Sequence, residues 1–172
     1  MAAKIGPGRK LDREQPERRR VNRRALLDIN VLVALFDPDH VHHELAHDWF
    51  ADHRGHGWAS CPITQNGLVR VLSNPRYGSP VSGLRAVRDA VKRLLSSKDH
   101  EFWPDDVSIA DDGLFNVSGM VGHRQITDVY LLGLARKRNG HLVTLDRSIP
   151  LRAVVGADAG LLTVIKPARG ES

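Results

Sequence analysis

Residues 25–36 read ALLDINVLVALF, an apolar stretch that holds a single acid. A segment this apolar has to be buried, yet its 12 residues fall far short of the ~20 that cross a bilayer. It reads as a buried strand at about 25–29 running directly into a short helix, the opening of an α/β domain. The same alternation continues down the chain. Residues 42–52 have a helical stripe of Leu45, Ala46, Trp49 and Phe50, opposite Glu44, Asp48 and Asp52. Residues 57–61 form a short second strand, and Pro62 suits the first turn of a helix over 63–73 with Ile63, Leu68, Val69 and Leu72 inward. Ser82 is placed to cap a helix that reaches Ser96, with Leu84, Val87, Val91, Leu94 and Leu95 inward. A third strand is expected at 101–103 and an amphipathic helix at 126–138, with Val129, Leu131, Leu132 and Leu134 inward and Asn139-Gly140 as its stop. HLVTLD (141–146) and LLTVI (161–165) supply the last two strands. Strands alternating with helices predict an α/β fold whose parallel sheet is covered on both faces.

Composition sets the outer limits. A chain of 172 residues fits one domain that needs no disulfide or metal staple. The lone Cys61, in an apolar context, reads as a buried structural thiol in a reducing compartment. With no apolar span and no signal-peptide core, a cytoplasmic protein without membrane attachment is expected. The net charge of +5 is unevenly placed. Residues 1–24 hold nine Lys/Arg against three Asp/Glu, a net of +6, while the remaining 148 carry 16 and 17, a net of −1. The basic, Pro- and Gly-rich extension is expected to be disordered. It reads either as an arm that attracts RNA phosphates or as a dispensable extension, and the second is the simpler reading. The domain is expected over 25–166, with a short tail at 167–172.

Ligands of such sheets bind beyond the carboxyl ends of the strands. Asp28 closes the first strand, Asp146 closes HLVTLD, and Asp128 opens the helix that begins ITDVYLL. Each has a structural alternative. Asp128 would favour a helix N-terminus, and Asp146 would start the turn of DRSIP. Asp28, between Leu27 and Ile29, has no helix end to cap if the strand runs to residue 29. Carboxylates that converge repel one another unless a cation lies between them, and Mg²⁺ or Mn²⁺ favours an all-oxygen shell. Such ions activate water and stabilise the leaving oxygen in phosphodiester hydrolysis.

LLDINVLVALF together with ITDVYLLGLARKRNGHLVTLDRSI resembles the PIN-domain ribonucleases, and in particular the VapC toxins of bacterial toxin–antitoxin pairs. CPITQNGLVRVLSNP is similar to the second motif block of one VapC subgroup, so the likeness spans 25–165 with all three blocks in order. The resemblance implies a three-layer α/β/α sandwich and a toxic Mg²⁺- or Mn²⁺-dependent endoribonuclease. Asp28, Asp128 and Asp146 match the family's acidic metal and catalytic positions, with Asn30 and Thr144 as polar neighbours. It also implies a small VapB-like antitoxin that blocks the acidic cleft, and commonly a homodimer. In one place the chain departs from the pattern: the family's Glu in the second block is missing, and TQNGLVRV offers only Gln65 and Asn66, which bring no charge. Arg70, Arg76 and Arg124 are candidate phosphate contacts, though solvated surface charge is the simpler reading of each.

Rival readings rest on smaller features. A haloacid-dehalogenase-type phosphatase needs a second Asp two residues after the first, where this chain has Asn30. HHELAH (42–47) contains a literal H-E-x-x-H, in which His43 and His47 would bind zinc and Glu44 would act as general base. Six histidines crowd residues 40–56, so chance spacing accounts for that match as well. A PIN-like module that binds RNA or a partner without cutting it is the third rival, and the missing Glu is its support.

Overall fold

The computed structural model describes residues 23–78, 83–120 and 122–167. Five strands, β1 (Ala25–Leu27), β2 (Trp58–Ser60), β3 (His100–Phe102), β4 (His141–Thr144) and β5 (Leu162–Val164), form one sheet in the order β3-β2-β1-β4-β5. Every pairing is parallel. The helices are α1 (Ile29–Phe36), α2 (His43–His53), α3 (Pro62–Leu72), α4 (Leu84–Leu95) and α5 (Ile126–Lys137).

Alternation along β1 shows how the layers arise. Ala25 and Leu27 join the apolar cluster under α1–α4, where Val31, Leu32, Phe50, Trp58, Leu68 and Val87 pack. Leu26 points the other way, into a second cluster with Trp103, Phe115 and the α5 residues Val129, Leu131, Leu132 and Leu134. Side chains two apart share a face, so one short strand supplies both cores, as the three-layer expectation requires. β1 is the central strand, and Asp28 follows it directly.

The boundaries differ from the sequence reading in instructive ways. The first strand stops at Leu27 and α1 starts at Ile29, so Asp28 is a helix N-cap after all, accepting the Ile29 amide at 2.6 Å. The third strand lies one residue earlier than expected, and Trp103 packs into the core just beyond it. Ser82 lies outside the described residues, and the residue that precedes α4 is Gly83, at φ 85°. Leu84, expected inward, is 62% exposed because it occupies the open first turn of that helix. Of the basic extension, residues 1–22 lie outside the description, and its last two residues are tied to the domain. Arg23 pairs with Asp158 at 3.3 Å, and Arg24 with Glu101 at 2.7 Å.

Candidate metal centre

The strand-end acids meet at the carboxyl edge of the sheet around a buried hydroxyl. Thr144, the last residue of β4, is fully buried. It donates to Asp28 Oδ2 at 2.7 Å and accepts from the Asp146 amide at 3.0 Å and from Asn30 Nδ2 at 3.0 Å. The Asn30 carbonyl oxygen accepts the Leu145 amide at 3.1 Å, so this one residue of α1 holds the turn after β4 by both ends of its amide. Asp146 Oδ1 accepts both the amide and the hydroxyl of Ser148, each at 2.7 Å. Gln125, just before α5, donates to the Ser148 carbonyl at 2.8 Å and pins that turn to the start of the helix carrying Asp128.

Charge confirms the convergence. Asp28 is 4% exposed, and burial raises its pKa, with the Asp146 charge adding to the rise while hydrogen bonds from Thr144, Ile29 and Asn30 oppose it. The Asp128 carboxyl is pushed up to about 6, first by burial and then by the charges of Asp28 and Asp146. The charge of Asp146 on Asp28, and those of Asp28 and Asp146 on Asp128, add to the effect of burial, as carboxylates gathered without a cation do.

Each acid also keeps its scaffold role: Asp28 caps α1, Asp128 stands in the first turn of α5, and Asp146 closes an Asx turn. Among the described residues, no three His, Cys, Asp or Glu side chains close into a ready cage.

Sequence reasoning named Asp28, Asn30, Asp128, Thr144 and Asp146, and the structure brings these together. It missed Gln125 and Ser148, although the D-x-S spacing of 146–148 is an Asx-turn signal that points to the second. Gln65 and Asn66 are not in this hydrogen-bond network. Gln65 donates to Ser60 Oγ at 2.9 Å, and Asn66 is exposed. Arg70, Arg76 and Arg124 are all exposed.

The histidine pair has a different task. Helix α1 ends ahead of Pro38, which has no N–H to offer the Ala34 carbonyl. His43 Nδ1 donates there instead, at 2.8 Å, and His47 Nε2 donates to the next carbonyl, Leu35, at 2.9 Å. The i, i+4 spacing that would suit zinc here matches two successive carbonyls at the end of a neighbouring helix. Glu44 is exposed. The variants Glu44→Gln and His47→Ala are therefore expected to leave any RNA cleavage unchanged, with His47→Ala alone costing about 1 kcal/mol in urea unfolding.

The sequence pattern of the PIN domain matches residues 25–154. The chain belongs to the PIN-domain family. Among its PIN-domain relatives in Mycobacterium tuberculosis, Ribonuclease VapC44 is 52% identical over 134 residues, covering 78% of this chain and 94% of that protein. Ribonuclease VapC29 is 47% identical over 124 residues, covering 72% of this chain and 86% of that protein. Ribonuclease VapC38 is 43% identical over 125 residues, covering 73% and 86%. The PIN-domain match runs from β1 through β4 and so includes all three aspartates.

Proposed function

We propose that this PIN-domain chain is a metal-dependent endoribonuclease that hydrolyses RNA phosphodiester bonds and acts as the toxin of a toxin–antitoxin pair. A VapB-like antitoxin, homodimeric assembly and a cytoplasmic setting complete this reading. The observation that carries it is the meeting of Asp28 and Asp146 around the Thr144 hydroxyl, near enough to Asp128 for their charges to add to the rise that burial gives its pKa. The relatives named as VapC ribonucleases support the substrate class.

Asp28, Asp128 and Asp146 would hold Mg²⁺ or Mn²⁺, which supplies an activated water and neutralises charge on the departing oxygen. The protein's own contribution is placement. Thr144 and Asn30 fix the distance between Asp28 and the turn bearing Asp146. Ser148 leaves Asp146 Oδ1 fully engaged, so Oδ2 is its free face.

The test is cleavage of a structured RNA pool by purified protein. Activity is expected with Mg²⁺ or Mn²⁺, lost in chelator and restored by either ion. A second reading, a weakly active binding module, draws on Gln65 at the position where the family pattern has Glu. RNA binding without cleavage under any divalent ion would favour it over the nuclease.

A further inference from the structure

Between α3 and α4 runs a groove of about 430 Å³. Its floor is apolar, made by Val69, Val91 and Leu95, and its rim carries Arg88 and Lys92 of α4 opposite Gln65 and Asn66 of α3. No carboxylate lines it. Among the described residues Lys92 has no ion pair, and Arg88 has only its sequence neighbour Asp89, at 3.8 Å on the exposed surface. These two cations are therefore available to a ligand.

Helix α3, which lines the groove, packs on α1. Gly67 lies so close to α1 that an added Cβ would sit 2.5 Å from Ile29 Cδ1. Ile29 is the residue whose amide Asp28 caps. The part of α3 that carries Gln65 and Asn66 therefore lies near the start of α1.

Gln65 itself is oriented by a hydrogen-bond chain. Gln65 Nε2 donates to Ser60 Oγ at 2.9 Å, and Ser60 Oγ lies 2.8 Å from His100 Nε2. The amide oxygen of Gln65 is left for the groove.

We infer that the α3–α4 groove binds the RNA strand beside the cleaved bond, with Arg88 and Lys92 on backbone phosphates and the Gln65 and Asn66 amides on base edges. The proposal rests on the nuclease reading for the identity of the strand but on its own geometry for the site. Single-stranded RNA offers phosphates to the cations, an apolar base face to the floor and donor–acceptor edges to the amides. On this view Gln65 binds substrate at the position where the family pattern has an acid.

The test uses the full chain and a fluorescein-labelled single-stranded RNA of about eight mixed nucleotides, in chelator so that nothing is cut. Arg88→Glu/Lys92→Glu is expected to bind at least about tenfold more weakly, with a salt slope shallower by about 1.4, the value for two phosphate contacts on a single strand. Arg85→Glu/Arg93→Glu, an equal charge change on the same helix outside the groove, should bind as the wild type does. Equal loss in both variants, no loss in the groove variant, or no RNA binding by the wild type overturns the proposal. Unchanged RNA binding would leave the groove to a protein partner. A parallel cleavage assay separates the two readings: the groove variant should raise KM about tenfold at unchanged kcat. Wild type that binds through the groove but never cleaves upholds the groove and sinks the nuclease.

Discussion

Asp28→Asn is expected to lower kcat for RNA cleavage by at least about 100-fold and to leave the fold intact. Changes to groups that merely support a metal ligand cost about 10–100-fold, so neutralising the proposed ligand should cost at least the upper end of that range. The fold survives because the asparagine keeps an oxygen for the Ile29 amide, so the α1 cap stays made. Stability should even shift in the variant's favour as pH rises. The folded pKa of Asp28 lies above its ordinary 3.8, so the folded metal-free protein holds this proton more tightly than the unfolded chain does. The wild type therefore loses stability as pH climbs from near 4 through the raised pKa, and Asp28→Asn removes that loss. Asp128 adds a second contribution of the same sign between 3.8 and about 6. Urea unfolding at pH 4 and pH 7 without metal checks this: the variant should gain on the wild type at the higher pH. A variant that cleaves RNA normally would remove Asp28 from the chemistry altogether.

Thr144→Val is the second large effect, and it reaches activity without touching substrate. Valine matches threonine in shape but deletes the hydroxyl that donates to Asp28 and accepts from Asn30 and Asp146. At a fully buried position, the partners left behind should cost about 1–3 kcal/mol in urea unfolding. Cleavage should fall about 10–100-fold, because the two acids lose the group that sets their spacing. Thr144→Ser keeps the hydroxyl and is expected to restore most of the activity. If the valine variant loses stability but keeps full kcat, the hydroxyl is structural only.

Much of this arrangement was legible in the sequence because the chain is locally consistent. Apolar runs mark β1 and β4, a helical stripe marks α5, and acids stand where strands end. The site residues were readable one by one, since a charge in an apolar run has few explanations. What escaped was cooperation across the chain. That Asp28 caps α1 depended on the strand ending two residues early, a boundary that periodicity does not resolve. Gln125 works through the Ser148 backbone carbonyl, which leaves no side-chain pattern to find. The task of His43 and His47 depended on Pro38 and on how two helices pack, and spacing within one helix carries neither. Gln65 reads as a weakened ligand in the motif, whereas its surroundings tie it to Ser60 and His100.

The double duty of Asp28 links two equilibria. One carboxyl group closes the first turn of α1 and, in the proposed function, holds the cation, so the free energies of the two roles are coupled. Whatever tightens the cap, including better packing of α1 on the sheet, raises cation affinity by the same factor that the cation raises the stability of the cap. Drift in the core residues of α1 would thus act as a dial on nuclease strength, with no change at any residue that touches RNA.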